Sequence, residues 1–308
     1  MMKTLLKFLK YRVHFLLTIY NSRLRMFGNA YDTIVNGDTF TELFHNKVLT
    51  KYLTLAEQKK YRYFEEGFFK AFSFAKDGEY GESERLFAVG ERELQKVDKR
   101  STIGTIFLDT FYPRKAYFYY RTGEFERSVL LTKKSIIINQ YLKVTLGADF
   151  LVFVQVQQYQ NIARIFNKSE RWGDAMLLNF DLLKLLLLKE NLKNRFLQIK
   201  WLDQETKLLG HVMAYQILFD MLLFLNKMTG SRRMSFLNHF VSLIDNLWRR
   251  YRPESIEGIV LRDFLYTLRF INSDHRSTYS EKVKVFLTNK ENLFPYTASV
   301  LTLFCRSE

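Results

Sequence analysis

The octapeptide RTGEFERS, residues 121–128, has the pattern of a turn that closes one helix and opens the next. KDGEYGES at 76–83 and KSERWGDA at 168–175 repeat this pattern. Counted from an alanine in the preceding segment, an aromatic residue follows at +3, glycine or glutamate at +7, a second aromatic at +9 and a small residue at +12. The three series are Ala71, Phe74, Gly78, Tyr80 and Ser83; Ala116, Tyr119, Gly123, Phe125 and Ser128; and Ala163, Phe166, Glu170, Trp172 and Ala175. Their starting alanines lie 45 (71 to 116) and 47 (116 to 163) residues apart.

This pattern is typical of a helical hairpin. A small residue near the end of the first helix lets the second helix approach closely, and the aromatic residue one turn later seals the pair. Glycine takes the left-handed conformation that ends a helix. The second aromatic packs back across the turn, and the small residue at +12 faces the starting alanine. The octapeptides therefore predict three stacked helical hairpins; the alternative is three unrelated turns of an ordinary helical bundle.

The composition favours long helices. Of 308 residues, 47% are apolar and 26% charged, which suits a folded chain with a continuous core. Only 3 prolines and 13 glycines are available for turns, too few for a sheet of many strands. Cys305 is the single cysteine, so an intrachain disulfide and the usual thiolate zinc sites are excluded.

Nothing in the sequence predicts a membrane-spanning helix. The most apolar stretch, MAYQILFDMLLFL at 213–225, is 13 residues long and contains Asp220, which is too short to cross a bilayer. Lysine and arginine interrupt the apolar runs of the first 20 residues, and no small-residue cleavage site follows them. We therefore expect a cytoplasmic protein without integral membrane association.

The repeats resemble the tetratricopeptide repeat family, which places small, aromatic, glycine, aromatic and alanine residues at the same relative positions around its turn. The resemblance covers roughly residues 55–190. The period here is longer than the family's usual ~34 residues, and the proline that closes a repeat is missing. The resemblance implies an all-α, right-handed α-solenoid of helical hairpins.

Three regions are predicted along the chain: an N-terminal helical segment at 1–53, the repeats at 54–252 and a C-terminal helical cap at 253–308. An apolar stripe marks an amphipathic helix in the first region, because its members are spaced by three and four residues: Leu6, Leu9, Val13, Leu16, Tyr20, Leu24 and Phe27. Thr54 and Glu57 have the spacing of a capping box that opens the first repeat helix.

The sequence contains no signature of catalysis. The five histidines include no pair at metal-ligand spacing on one helical turn, and there is no HExxH, P-loop or GxSxG motif. We therefore expect no enzyme activity, no metal and no organic cofactor. The net charge of +15 indicates an anionic partner, although charge alone does not choose among acidic protein, nucleic acid and an anionic membrane face.

The resemblance also implies where a partner binds, because in this family the first helix of each hairpin lines a concave groove. The matching positions carry mostly basic, amide and aromatic side chains. They are Lys76, Arg121 and Lys168 at +5, Phe69, Arg114 and Asn161 at −2, and Phe72, Tyr117 and Arg164 at +1. The expected partner-binding residues are Lys76, Arg114, Tyr117, Arg121, Asn161, Arg164 and Lys168. The alternative interpretation is that the +5 cations only offset the negative ends of helix dipoles.

The function expected from these observations is that of a scaffold or adaptor whose basic groove binds an acidic peptide or protein segment. The second hypothesis is nucleic-acid binding through the same positive field. That surface would extend through a further set of arginines: Arg232, Arg233, Arg249, Arg250 and Arg252. The oligomeric state is left open.

Overall fold

A computed structural model describes residues 44–192, 197, 204–272 and 276–288. Within these residues the regular structure is helical, apart from one isolated bridge between Leu192 and Leu197. The helices are α1 Leu55–Asp77, α2 Tyr80–Gln95, α3 Thr102–Thr122, α4 Phe125–Leu146, α5 Leu151–Lys168, α6 Trp172–Leu188, α7 Gln204–Lys227, α8 Gly230–Arg250, α9 Ile256–Leu268 and α10 Arg276–Thr288. The all-α class is thus confirmed. The predicted N-terminal amphipathic helix and the end of the C-terminal cap lie outside the described residues.

The first long helix begins as its sequence predicts. A π-helical turn, His45–Leu49, and a short α-helical turn, Thr50–Tyr52, precede it. The Thr54 hydroxyl accepts a hydrogen bond from the Glu57 backbone N–H, and the Glu57 carboxylate accepts one from the Thr54 N–H. This reciprocal pair is the capping box, and the bonds from Thr54 lower the pKa of Glu57.

The three octapeptides form turns of one backbone geometry. The residue at +7 is left-handed in each, with φ of +88° at Gly78, +85° at Gly123 and +63° at Glu170. The next residue then donates its backbone N–H to the carbonyl five residues earlier. These bonds are Glu79 to Phe74 at 2.9 Å, Glu124 to Tyr119 at 2.8 Å and Arg171 to Phe166 at 2.8 Å. The turn geometry therefore repeats even where glutamate replaces glycine.

A second repeated contact joins the two helices of the first two hairpins. The Ser83 hydroxyl donates to the Ala71 carbonyl at 2.8 Å, and the Ser128 hydroxyl donates to the Ala116 carbonyl at 2.7 Å. All four residues are buried. Small side chains at +0 and +12 thus permit close approach, as the sequence pattern predicts. The aromatic at +9 is less buried than expected, since Tyr80 is exposed and Phe125 and Trp172 are half-buried.

The described residues form two compact units. The hairpin unit comprises 44–179, 191, 192 and 197; the C-terminal unit comprises 180–190, 204–272 and 276–288. In the hairpin unit, α1 packs on α2 and α3, α2 packs on α3, and α4 packs on α3 and α5. The order of packing follows the order of the chain.

Aromatic rings fill the space between α1, α2 and α3. The ring centroids of Phe64 and Phe107 lie 4.5 Å apart, and those of Phe68 and Phe111 lie 5.1 Å apart. Gly90 of α2 permits this packing, because a Cβ there would stand 2.2 Å from the Phe68 ring. The apolar core therefore depends on a close approach that a larger residue prevents.

In the C-terminal unit, α9 packs on α7, α8 and α10, and α7 also packs on α8. Its core is aliphatic and aromatic, with fully buried side chains from each helix: Leu218, Leu222, Phe240, Ile244, Phe264, Leu265 and Val283. The Ser255 hydroxyl caps α9 by accepting the Gly258 N–H at 3.2 Å. Lys189 pairs with Glu254 at 2.7 Å, and Arg250 pairs with Glu190.

Candidate functional site

A pocket of about 380 Å³ lies in the hairpin unit and is lined by α1, α3, α4 and α5. Its lining combines two guanidinium groups, three side-chain amides and three aromatic rings with smaller side chains. The lining residues are Phe72, Pro113, Arg114, Ala116, Tyr117, Tyr120, Ser128, Thr132, Gln157, Gln158, Asn161, Arg164 and Ile165. The lining is therefore mixed, because nine of its thirteen side chains have a polar group and four are purely apolar.

Four of the seven residues expected from sequence to bind a partner line this pocket: Arg114, Tyr117, Asn161 and Arg164. Phe72, which shares the +1 repeat position with Tyr117 and Arg164, lines it too. The common repeat position explains this result, because equivalent positions of α1, α3 and α5 face the same way when their hairpins have the same geometry.

The three cations at +5 do not line the pocket. The Arg121 guanidinium donates to the Lys76 backbone carbonyl at 2.9 Å and to the Tyr117 hydroxyl at 3.1 Å. The hydrogen bond to Tyr117 raises the pKa of Arg121. Lys76 and Lys168 are exposed in the last turns of α1 and α5. The Arg121 guanidinium thus lies at the carbonyl end of α1, where a cation interacts favourably with the helix dipole.

Arg114 is anchored on the α3 side of the pocket. Its Nη1 donates to the Thr110 carbonyl at 2.9 Å, and its Nη2 lies 3.8 Å from the Glu65 carboxylate. Only 25% of the Arg114 side chain is exposed. The cation is therefore fixed in position, and Glu65 compensates part of its charge.

Arg164 is oriented by neighbours on its own helix. Its Nη1 donates to the Asn161 side-chain oxygen at 3.0 Å, and the Asn161 amide donates to Gln158 at 3.4 Å. These three residues lie one helical turn apart on α5, so their side chains share one face. The pocket therefore has a second cation that amide groups hold in place.

Aromatic rings continue the pocket wall toward solvent. The rings of Phe72 and Tyr117 lie 4.7 Å apart, those of Tyr117 and Tyr120 6.1 Å apart, and those of Phe69 and Phe72 6.4 Å apart. Phe69 is 58% exposed. Ring faces and edges at these distances offer apolar contact beside the two cations.

Sequence reasoning missed Tyr120, Gln157 and Gln158. Each stands about one helical turn from a predicted site residue, Tyr120 after Tyr117 and the two glutamines before Asn161. Extending each predicted position by one turn of helix is the signal that would have found them.

A partly buried carboxyl lies between α3 and α4, near Arg114 on the same helix. The Asp109 carboxylate accepts hydrogen bonds from the Asn139 amide at 2.7 Å and from the Ser135 hydroxyl at 3.5 Å. Burial raises the pKa of Asp109 to about 7, against the opposing effects of Arg114 and the two hydrogen bonds. This group is not needed to line the pocket, but it makes the interior of the second hairpin polar.

Three of the arginines of the second hypothesis make contacts within the C-terminal unit. Arg249 pairs with Asp245 at 2.6 Å, Arg250 pairs with Glu190, and Arg252 donates to the Arg249 carbonyl at 2.7 Å. Asp245 also pairs with Arg269 at 2.5 Å. The ion pairs of Arg249 and Arg250 lie at the surface, because 68% of the Arg249 side chain and 49% of the Arg250 side chain are exposed.

No protein-family model, curated protein or solved structure matches this chain. The part of the chain that the structure describes contains no helix long and apolar enough to cross a membrane. The same residues contain no group of three or more metal-ligating side chains placed to hold an ion.

Proposed function

We propose that this protein is a non-catalytic scaffold or adaptor that binds an acidic peptide or protein segment in the pocket of the hairpin unit. The observation that carries the proposal is the presence of Arg114 and Arg164 in one pocket with the rings of Phe72, Tyr117 and Tyr120. A carboxylate would accept charge-assisted hydrogen bonds from the guanidiniums, while its neighbouring apolar side chain would contact the rings.

The pocket volume supports a short segment as the ligand. A space of about 380 Å³ accommodates one or two side chains and their backbone, near the lower end of known ligand pockets. Hydrogen bonds to charged groups contribute roughly 1.5–3 kcal/mol each, so two anchored arginines supply most of the expected preference for a carboxylate. Anchoring also lowers the entropy that the arginines lose on binding.

The finer architecture is part of this proposal. Hairpins stacked as a right-handed, tetratricopeptide-like solenoid would place α1, α3 and α5 on the concave side. The shared turn geometry of Gly78, Gly123 and Glu170 supports such a repeat. In this proposal the protein is cytoplasmic and uses no cofactor or metal.

Acidic protein is preferred over nucleic acid as the partner because aromatic rings lie beside the pocket cations. Arg114 and Arg164 share a recess with Phe72, Tyr117 and Tyr120, which suits a carboxylate beside an apolar group. Hydrogen bonds and ion pairs within the protein do not distinguish the two surfaces, because Arg114 and Arg164 make them as Arg249, Arg250 and Arg252 do.

The test is fluorescence anisotropy with the full chain and an array of short labelled peptides. Each peptide contains one glutamate or aspartate beside leucine or phenylalanine, and each has a partner peptide with glutamine or asparagine instead. Arg164→Gln and Arg114→Gln should each weaken binding of the acidic peptides about tenfold or more. Arg92→Gln on α2, which is exposed and outside the pocket lining, is the matched control and should bind as the wild type does.

Equal binding of acidic and amide peptides by the wild type would reject this function, as would unchanged binding by both pocket variants. Labelled single-stranded DNA and RNA form a second arm of the experiment. Tighter binding of these oligonucleotides, abolished by Arg249→Gln and Arg252→Gln but not by the pocket variants, would replace the peptide with nucleic acid.

A further inference from the structure

Helix α4 exposes several large apolar side chains. Each of four such side chains is at least half exposed: Leu130 at 54%, Ile137 at 68%, Tyr141 at 50% and Val144 at 69%. Its buried side combines the apolar Ile136 and Leu142 with four hydroxyl and amide side chains, which are Ser128, Thr132, Ser135 and Asn139. The exposed side chains form an apolar surface that the described residues leave uncovered, and such surfaces mark interaction sites.

The exposed residues form one narrow line along the helix. Leu130, Lys134, Ile137, Tyr141 and Val144 follow one another at alternating spacings of four and three residues. At about 100° per residue these positions fall within an arc of about 80°. The alternation of four and three is the spacing of the a and d positions of a coiled coil. We name these five residues the outer seam.

We propose that the outer seam of α4 is the docking surface for an amphipathic helix of another protein whose apolar seam is flanked by aspartate and glutamate. The seam is about 21 Å long from Leu130 to Val144, given the rise of a helix, which is about two heptads of a partner helix. Apolar side chains of that helix would pack between those of the seam.

The acidic flank follows from the cations at the centre of the seam. Lys133 and Lys134 are both exposed, and Lys134 occupies an a position with its Nζ 5.7 Å from the Tyr112 ring centroid. A lysine at an a position, or beside one, favours a partner helix with carboxylates opposite that lysine. A pair of two copies of this chain, parallel or antiparallel, would instead bring Lys133 and Lys134 of both copies into one interface in which no seam carboxylate offsets them, which disfavours self-association.

A narrow line of side chains also favours a helix over a lipid surface. Membrane-surface helices present a broad apolar face with bulky side chains that enter the acyl layer. The outer seam is limited to an arc of about 80° and contains a lysine. It therefore fits the ridge of one helix better than a bilayer.

This surface is separate from the pocket. Ser128 and Thr132 line the pocket from the opposite side of α4, so a ligand in the pocket and a helix on the seam do not compete for the same atoms. The inference therefore does not depend on the proposed function, and each can fail alone.

The experiment uses the full chain and two synthetic helical peptides of about three heptads with leucine at a and d. One peptide has glutamate at all e and g positions and the other has lysine there. The wild type should bind the glutamate peptide about tenfold or more tightly than the lysine peptide. The pair Ile137→Glu and Val144→Glu should abolish binding, while Lys133→Glu with Lys134→Glu should reverse the preference in favour of the lysine peptide.

Val89→Glu is the matched control, because Val89 is an exposed apolar residue on α2 outside the seam, and it should bind as the wild type does. Thermal melts establish that each variant is folded; Ile137→Ser with Val144→Ser replaces the glutamate pair if that pair unfolds. Equal binding of both peptides by the wild type would overturn the inference. So would seam-dependent binding to vesicles of neutral and anionic lipid without peptide preference, or a wild-type dimer that the seam variants dissociate.

Discussion

The first two hairpins of this protein share a turn but differ in what lies between their helices. In both, a left-handed glycine ends the first helix and a serine hydroxyl binds an alanine carbonyl 12 residues earlier. Rings such as Phe68 and Phe87 fill the first hairpin. In the second, the buried Ser135 and Asn139 side chains bind the partly buried Asp109 carboxyl between α3 and α4.

This difference shows that one local turn serves two kinds of interior. Burial of apolar area stabilises the first hairpin and depends little on pH. A hydrogen-bonded network stabilises the second, where unpaired polar groups are costly and an ionisable group links stability to pH. Substitutions in the two interiors should therefore differ in how they change stability and its pH dependence. Equivalent substitutions in the two turns should change stability by similar amounts.

The largest effect is expected for Phe87→Ala in the apolar hairpin. Phe87 is fully buried, with its ring centroid 6.0 Å from that of Phe111 and 5.9 Å from that of Phe118. Removing a buried ring costs about 3–5 kcal/mol through lost transfer free energy and the cavity left behind. Urea unfolding followed by circular dichroism measures this loss. Val89→Ala on the exposed side of the same helix is the control, and a loss below about 1 kcal/mol for Phe87→Ala would contradict an apolar core here.

Asp109→Asn, in the polar hairpin, should change the pH dependence of the free energy of unfolding. The pKa of Asp109 is about 7, far above the ~3.9 of an unfolded chain. Stability linked to this carboxyl is therefore fully present below about pH 4 and is lost as the pH rises through about 7. The asparagine variant has no such loss. Its free energy of unfolding relative to the wild type should rise by about 2 kcal/mol between about pH 5 and pH 8.

Thermal and urea unfolding at both pH values give this difference, with Asp77→Asn as the control. Asp77 is exposed at the end of α1, so its variant should track the wild type across the same pH range. A constant difference between Asp109→Asn and the wild type would show that Asp109 ionises normally in the folded protein.

The features that could be predicted from the sequence are those that depend on residues close together in the chain. The turns were predictable because each relies on residues within one short segment, from the alanine to the small residue at +12. Four pocket residues followed from the same register, since equal repeat positions face alike. Tyr120 and Gln157 were not predicted because the repeat positions were not extended by one helical turn along α3 and α5.

Two features differ from what repeat position and helical periodicity predict. Arg121 has the same repeat position as Lys76 and Lys168, yet its long side chain turns to the Lys76 carbonyl rather than to the pocket, and a repeat position does not determine a rotamer. Helix α4 exposes Ile137 although its apolar residues have helical spacing. Periodicity identifies an apolar face but not what covers it.

Ser83→Ala and Ser128→Ala test whether the two turns are energetically equivalent. Each change removes one buried hydrogen bond of 2.7–2.8 Å between helices, so each should cost about 1 kcal/mol. Urea unfolding at one pH compares the two directly. Losses that differ by more than about 1 kcal/mol would show that the different interiors alter the turns as well. Ala175→Ser, at the equivalent buried position of the third turn, is the reciprocal variant and should lose no stability.

The smallest effect is expected at the third turn, where Glu170 takes the conformation that glycine takes in the other two. A left-handed backbone costs a residue with a Cβ roughly 1–2 kcal/mol. Glycine also gains freedom in the unfolded chain, which offsets about 0.5–1 kcal/mol of that relief. Glu170→Gly should therefore stabilise the protein by about 0.5 kcal/mol, measured as a higher urea midpoint with an unchanged slope.

Gly123→Ala should have the opposite sign, with a loss of about 1 kcal/mol. A Cβ at Gly123 would meet no atom within 4 Å, so its loss reports backbone conformation alone and calibrates the cost at Glu170. If Glu170→Gly destabilises while Gly123→Ala behaves as expected, the Glu170 side chain contributes a contact that outweighs its backbone strain. In that case the three turns share one backbone geometry, but the third turn is stabilised by different interactions from the other two.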